Sequence, residues 1–211
     1  MINIKIVSVG NGGMNAVNHM IDSGLTGAEF IACNFFEWKL GKSKADKKIL
    51  LGKERPRGLG ADLPERSIKA AIESREEIFS ALRGADAIII VAGLGGCDGT
   101  GAAPIIAGYA KELGALIVAV VSLPYKFEGP IRTGRGEDAL KKLSAQADAV
   151  IKFHNDKISH MIDPKTPVTK IFVCSDEIMC RAVRSLISIF QSPFRIEDVA
   201  KIKISESTPD V

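Results

Sequence analysis

The sequence has 211 residues, 46% of them hydrophobic, and is long enough for one domain of the α/β class. Its 28 basic and 25 acidic residues leave a formal net charge of +3, which gives no general argument for binding nucleic acid or a membrane surface. The cysteines lack CxxC spacing, no apolar run approaches the length of a membrane span, and the amino terminus runs straight into a strand pattern, so we expect a cytoplasmic protein with reduced thiols and no membrane insertion.

Apolar runs and amphipathic segments alternate along the chain. Runs rich in β-branched residues predict strands at Ile4–Val9, Glu29–Cys33, Ala87–Ala92, Leu116–Val121 and Ala149–Phe153. Helical periodicity predicts helices at Asn15–Ser23, Pro64–Leu82, Ala102–Leu113 and Gly136–Ala147. Nearly continuous hydrophobic strands are typical of sheets covered on both faces. The sequence therefore predicts an α/β fold: a doubly wound, mostly parallel sheet with helices on both faces and a ligand crevice at the carboxyl ends of its strands.

Two further segments are predicted to face solvent. The basic stretch from Lys42 to Arg57 is interpreted as a solvated face that includes an edge strand. A longer periodic segment from about Val168 to Phe190 places a polar face opposite Ile178, Ala182 and Ile189. That polar face, expected to be solvated, consists of Arg181, Arg184, Ser185, Ser188 and Gln191.

The first predicted strand ends in a glycine-rich turn, Gly10-Asn11-Gly12-Gly13-Met14-Asn15. Glycines permit a tight turn and let backbone N–H groups approach an anion at the start of a helix. Taken alone, the turn also resembles a dinucleotide-binding fingerprint in which Asn15 replaces the third glycine and Glu37 is the ribose acid. A turn with a purely structural role is a third interpretation of the same residues.

A second glycine-rich segment, from Gly93 to Pro104, follows the most apolar strand and opens a helix. Five glycines lie among the nine residues from Gly93 to Gly101. Ordering so many glycines on folding costs conformational entropy, and close approach of a ligand to the backbone explains why they are there. This segment resembles the signature loop of the FtsZ/tubulin family of GTPases, which wraps the phosphates of GTP.

Other stretches resemble the same family in the same order. The turn at Gly10 is similar to its first phosphate loop, and residues 57–61 to the loop near the terminal phosphate. Residues 124–132 resemble its ribose loop and residues 155–157 its base-reading loop, while Phe172 and Asp176 match its stacking aromatic and its guanine-reading acid. The resemblance implies a site for GTP or GDP formed by Gly10, Asn11, Gly12, Gly13, Asn15, Gly60, Ala61, Gly93, Gly95, Gly96, Cys97, Asp98, Gly99, Thr100, Gly101, Pro124, Glu128, Arg132, Asn155, Phe172 and Asp176.

The chain departs from the family pattern near the phosphates. Asp98 replaces a threonine, and its carboxylate either recruits Mg²⁺ or repels the nucleotide. The family's Asn-Thr-Asp reads Asn34-Phe35-Phe36, and the segment after Gly60 is one residue short. Of the acids that one family member inserts into its neighbour's site, only Asp198 has a match, so hydrolysis is expected to be slow or absent.

These features lead to competing hypotheses. The first is a nucleotide-binding GTPase-like domain at 1–190, a remnant of the inter-subunit catalytic loop at 191–204 and a disordered tail at 205–211, in a protein that associates head to tail with itself or another FtsZ-like protein. The second is a non-hydrolysing interaction module that regulates or caps the filaments of another protein. The third is a dinucleotide enzyme of the Rossmann type, in which the second glycine loop and the pair Glu128 and Arg132 have no place.

Overall fold

The computed structural model describes residues 2–52, 63–159, 163 and 165–192. Six parallel strands within these residues form one sheet in the order β3-β2-β1-β4-β5-β6. The strands are β1 (Ile4–Val9), β2 (Glu29–Asn34), β3 (Lys47–Leu50), β4 (Ala87–Gly93), β5 (Leu116–Leu123) and β6 (Ala149–His154). The helices are α1 (Gly10–Asp22), α2 (Glu37–Leu40), α3 (Pro64–Glu73), α4 (Arg75–Leu82), α5 (Asp98–Glu112), α6 (Pro130–Ser144), α7 (Asn155–Ser159) and α8 (Val168–Gln191). The predicted fold class is confirmed.

The strands alternate their side chains between two hydrophobic layers. In β1, Val7 and Val9 pack with α3, α4, α5 and α6, whereas Ile4 and Ile6 pack with α1 and α8 on the opposite face. All six residues of β1 are buried, which explains why its sequence shows no polar alternation. Because the strands are parallel, their carboxyl ends lie together at one edge of the sheet. None of the described helices combines the length and the apolar composition that crossing a bilayer requires.

Several predicted boundaries differ from the structure. Helices α1, α5 and α6 begin several residues earlier than predicted, because the glycine-rich and proline-containing turns form their first turns. The predicted helix Pro64–Leu82 is divided at Ser74, whose hydroxyl accepts a hydrogen bond from the backbone N–H of Gly52 (2.9 Å). The basic stretch does contain an edge strand, β3.

Helix α8 exposes the polar face that was predicted, because Arg181, Arg184, Ser185, Ser188 and Gln191 are all exposed. The opposite face differs from the prediction at one position of the helix. Its buried side chains include Met179, Cys180, Val183 and Ile187, whereas Ile189 is 51% exposed, so the placement of Ile189 on the buried face was wrong. The helix packs against α1 as well as the sheet. The predicted segments 191–204 and 205–211 lie, beyond Ser192, outside the described residues, and that division stays a prediction.

A buried lysine joins β1 to the end of α4. The side chain of Lys5 is 5% exposed and pairs with Glu29 (3.2 Å). Its ammonium donates hydrogen bonds to the carbonyl oxygens of Ala81 (2.6 Å) and Arg83 (3.0 Å). A cation at the carboxyl end of a helix is favourable, and the contact satisfies carbonyls that have no partner within the helix.

We predict that Lys5→Met lowers the free energy of unfolding by about 2 kcal/mol, because it leaves these carbonyls without a donor. The control is Lys47→Met, which removes the other partner of Glu29 (2.8 Å) from a half-exposed position and is expected to cost less than about 1 kcal/mol. Urea denaturation monitored by circular dichroism measures both. Equal losses in the two variants would contradict this role of Lys5.

Candidate functional site

A cavity of about 390 Å³ lies at the carboxyl edge of the sheet, over the ends of β1, β4 and β5. Fourteen of the predicted site residues line it: Asn11, Gly12, Asn15, Gly93, Gly96, Cys97, Asp98, Gly99, Pro124, Glu128, Arg132, Asn155, Phe172 and Asp176. Four lining residues that were not predicted are Phe36, Leu94, Ser122 and Ser175. The predicted residues Gly60, Ala61 and Asp198 lie outside the described part of the chain.

Five other predicted residues, Gly10, Gly13, Gly95, Thr100 and Gly101, lie behind the cavity wall and shape it. A Cβ atom at Gly13 would be 2.1 Å from the carbonyl oxygen of Val91, and one at Gly101 would be 2.3 Å from that of Pro64. The hydroxyl of Thr100 accepts a hydrogen bond from the N–H of Gly95 (2.8 Å) and so holds the loop closed. These residues permit close packing of backbone on backbone.

The two glycine-rich turns meet at one end of the cavity. Gly10 has φ +71°, and a Cβ atom there would be 2.8 Å from the backbone nitrogen of Gly99. A Cβ atom at Gly12 would be 3.2 Å from the Cα of Gly93. The amino termini of α1 and α5 therefore lie side by side, and both present backbone N–H groups and positive dipole ends to the same space. Such an arrangement is suited to an anion.

Asp98 brings a negative charge to this end of the cavity. It is 6% exposed, opens helix α5, and its carboxylate accepts a hydrogen bond from the hydroxyl of Ser67 on α3 (3.0 Å). The position is favourable for a carboxylate because of the helix dipole. In the part of the chain that the structure describes, no three His, Cys, Asp or Glu side chains gather into a metal site.

The residues after β2 support the first turn. Asn34 is fully buried, and its amide nitrogen donates to the side-chain oxygen of Asn11 (3.0 Å). Its own oxygen accepts a hydrogen bond from the backbone N–H of Phe36 (2.9 Å). Phe36 then forms part of the cavity wall, where the family pattern has a polar residue. Asn34 thus fixes a polar side chain of the turn, while the wall beside it is apolar.

Glu128 and Arg132 lie together on the cavity wall. A side-chain oxygen of Glu128 accepts a hydrogen bond from the backbone N–H of Tyr125 (2.9 Å), and its other oxygen pairs with the guanidinium of Arg132 (2.5 Å). The Glu128 side chain is 17% exposed and that of Arg132 is 55% exposed. The Glu128 side chain is therefore held in place, whereas the Arg132 side chain projects outward.

The remaining wall combines a carboxylate, an amide and an aromatic ring. Asn155 is buried, and its side-chain oxygen accepts a hydrogen bond from the hydroxyl of Ser175 (2.9 Å). Next to Ser175, burial raises the pKa of the Asp176 carboxyl to about 6, although the nearby His19 opposes the shift. Phe172 is 43% exposed, and its ring lies edge-on to Tyr125 with a centroid distance of 5.3 Å. A flat, polar ring system with paired N–H donors matches this chemistry.

Comparison with known proteins gives consistent results. The model of the tubulin/FtsZ family, GTPase domain, matches residues 3–163. Cell division protein FtsZ 1 of Pyrococcus abyssi is 46% identical over 191 residues, which are 90% of this chain and 51% of that protein. Cell division protein FtsZ 1 of Archaeoglobus fulgidus is 41% identical over 202 residues, 95% of this chain and 55% of the relative. The chain thus spans about half the length of the curated relatives it matches.

Solved structures show the same fold. The FtsZ dimer of M. jannaschii, described as empty, superposes with a TM-score of 0.88 at 36% identity. The match covers 94% of this chain and 59% of that one. The parallel sheet and the helices around it are therefore shared with a structure that also carries related sequence.

We predict unequal stability effects for two glycine substitutions. Gly13→Ala should lower the free energy of unfolding by about 2 kcal/mol or more, because the new methyl group would overlap the carbonyl of Val91. Gly96→Ala should change it by less than about 0.5 kcal/mol, because no atom lies within 4 Å of the added Cβ. Chemical denaturation of the purified variants measures both values. A destabilised Gly96→Ala protein would contradict the open geometry of this wall.

We predict that Asp176→Asn stabilises the ligand-free protein at neutral pH. Because the folded pKa of about 6 lies above the unfolded value near 3.8, the stability linked to this carboxyl is present below pH 4 and is lost as the pH rises through 6. The variant should therefore exceed the wild type by up to about 3 kcal/mol at pH 7.5, and the difference should shrink towards pH 4.5. Urea titrations at both pH values test this, with the exposed Asp138→Asn as control. A destabilised Asp176→Asn protein at pH 7.5 would contradict the assignment.

Proposed function

Since this chain belongs to the tubulin/FtsZ family and matches the family's GTPase domain, we propose that the cavity binds a guanine nucleotide, GTP or GDP. The observation that carries the proposal is the contact between the two glycine-rich turns beneath a wall that holds Asp176. Because both turns end parallel strands, a single ligand reaches both helix termini. The cavity volume of about 390 Å³ lies in the range typical of small-molecule sites.

The phosphates occupy the end formed by the starts of α1 and α5. Backbone N–H groups of Gly12, Gly96 and Gly99 are the donors there, because these glycines line the cavity. Two helix dipoles add a favourable field for a polyanion. The negative charge of the Asp98 carboxylate reduces the positive field that the phosphates experience, so the proposal includes Mg²⁺ to balance this charge. The described residues supply Asp98 as one oxygen ligand beside the phosphates, which fits the preference of Mg²⁺ for phosphate oxygens and water with one or two carboxylates.

The purine occupies the wall formed by Asn155, Phe172 and Asp176. The carboxylate of Asp176 accepts hydrogen bonds from guanine N1 and N2, whereas adenine would leave this half-buried acceptor unpaired. The exposed face of Phe172 stacks on the base. Glu128 is placed to accept from the ribose hydroxyls, with Arg132 beside it. The unfavourable free energy of burying the Asp176 carboxylate is therefore offset only when guanine donates hydrogen bonds to it.

We predict that the protein binds GTP at least about 100-fold more tightly than ATP. Asp176→Asn should weaken GTP binding by a similar factor and improve binding of XTP, because the asparagine amide donates to the oxygen that xanthine carries in place of the guanine amino group. Isothermal titration of nucleotide-free protein measures the affinities, and Asp138→Asn is the control. Chromatography of the nucleotide released on denaturation identifies what the purified protein carries. Equal affinities for GTP and ATP would overturn the proposal.

We further propose that the protein associates head to tail, with itself or with another FtsZ-like protein, through the surface around the cavity mouth. Large apolar side chains are exposed there: Phe127 by 67% and Ile131 by 70%. Isolated exposed apolar residues are common, but Phe127 directly precedes Glu128 and Ile131 directly precedes Arg132 in the chain. The solved relative from M. jannaschii is described as a dimer. The proposal also includes weak hydrolysis of GTP, with Asp198 supplied by the neighbouring subunit. It further includes a cytoplasmic role in cell division or in a cytoskeletal filament.

We predict that Ile131→Ser abolishes association without loss of GTP affinity. Sedimentation velocity with GTP should show a weight-average coefficient that rises with concentration for the wild type and stays constant for the variant. Ile189→Ser is the matched control, since this exposed residue lies about 25 Å further along α8 than Phe172. Phosphate release should be slow and should rise with protein concentration. Flat phosphate release together with co-sedimentation on filaments of a longer relative would instead favour the non-hydrolysing module.

A further inference from the structure

We propose that Asn34, a buried residue at the end of β2, is a positioning residue for nucleotide binding: it holds the side-chain amide of Asn11 with the nitrogen, rather than the oxygen, directed at the phosphates. This inference rests on the proposed guanine-nucleotide site. It adds one side-chain donor to the backbone donors of the two turns. It also gives Asn34, which lies behind the cavity wall, a part in phosphate recognition.

The orientation of the Asn34 amide is set by the backbone. The N–H of Phe36 donates a hydrogen bond to the side-chain oxygen of Asn34 (2.9 Å). Because a backbone N–H acts only as a donor, the atom of Asn34 that it meets must be the amide oxygen. Asn34 is fully buried, and turning its amide around would leave two buried donors facing each other. The Asn34 side chain therefore has one favourable orientation.

This orientation in turn fixes the amide of Asn11. The Nδ2 atom of Asn34 donates to the Oδ1 atom of Asn11 (3.0 Å). Since an amide nitrogen has no acceptor capacity, Asn11 must present its oxygen to Asn34 and its nitrogen to the other side. Asn34 lies in the interior and Asn11 lines the cavity, so the other side is the cavity. Among the described residues, the Asn11 nitrogen has no hydrogen-bond partner, and its donors are available to a ligand.

Asn11 lies at the phosphate end of the cavity. It is the second residue of α1, between Gly10 and Gly12, and both glycines closely approach the second glycine-rich turn. Of the described residues that line the cavity, Arg132 is the one with a basic side chain, and it lies on the wall with Glu128. The phosphates therefore meet neutral dipoles, whose direction decides the sign of the interaction. An amide nitrogen attracts a phosphate oxygen, whereas an amide oxygen repels it.

Titration calorimetry with GDP and with guanosine tests the contact between Asn11 and the phosphates. Asn11→Ala should weaken GDP binding about tenfold and leave guanosine binding unchanged, because guanosine has no phosphate to accept the lost bond. Asn11→Asp should weaken GDP binding about 100-fold, since the new carboxylate still accepts from Asn34 but places a negative charge before the phosphates. The charge-matched control is Asn18→Asp, about two turns further along α1. Equal GDP affinities of Asn11→Ala and the wild type would overturn the inference.

A double-substitution cycle tests whether Asn34 sets the orientation. Asn34→Ala leaves the Asn11 amide free to turn, so it should weaken GDP binding about threefold without changing guanosine binding. In the Asn11→Ala background, the same substitution should cause no further loss of GDP affinity. A merely structural role of Asn34 would weaken the binding of both ligands and would add to the loss in the second background. That result would overturn the positioning role.

NMR of the wild-type protein gives a test that needs no variant. The side-chain amide signals of Asn11 should shift with GDP and stay in place with guanosine, while those of the buried Asn34 should exchange slowly with deuterated water. An Asn11 amide that does not respond to GDP, in a protein that still prefers GTP over ATP, would overturn the inference and leave the guanine site intact. Failure of the wild type to prefer GTP over ATP would overturn the site itself.

Discussion

The arrangement of the molecule depends on the direct contact between two backbone turns at the ends of β1 and β4. The space between Gly10 and Gly99, and between Gly13 and Val91, has no room for a single added carbon. Because the turns touch, α1 and α5 start side by side and their N–H groups converge on one volume. The glycines behind the cavity wall make this contact possible as much as the glycines that line the cavity do. The loops are therefore glycine-rich for packing reasons as well as for ligand access.

The fold was predictable because its strands are buried on both faces. Every predicted strand appears within one or two residues of its predicted bounds, since an unbroken apolar run in an α/β pattern has few alternatives. The starts of α1 and α5 were not predictable from propensity, because glycines enter these helices under tertiary constraint. The break at Ser74 coincides with a hydrogen bond to Gly52, and the buried side of α8 is set by packing against α1 as well as the sheet. Both are long-range effects that local periodicity does not contain.

The candidate site was predicted in outline through loops with a recognisable pattern. Phe36 was missed because it replaces the polar residue of a family motif, and Ser175 was missed because it belongs to no such loop. Each hydrogen-bonds to a buried amide side chain, Asn34 or Asn155, whose orientation is visible only in the structure. Asp98 was expected to face phosphate or metal, and the structure adds a partner, Ser67, that no sequence pattern connects to it. The contact between His19 and Glu177 was not predictable from sequence, because the two residues are 158 positions apart along the chain.

The central claim is that both turns bind the phosphates of one nucleotide. Backbone amide NMR, with GDP and guanosine added in turn to nucleotide-free protein, tests it directly. The account predicts that the amide signals of Gly12, Gly96 and Gly99 shift together at the same GDP concentration and stay in place with guanosine. Shifts confined to one turn, or equal shifts with guanosine, would contradict it.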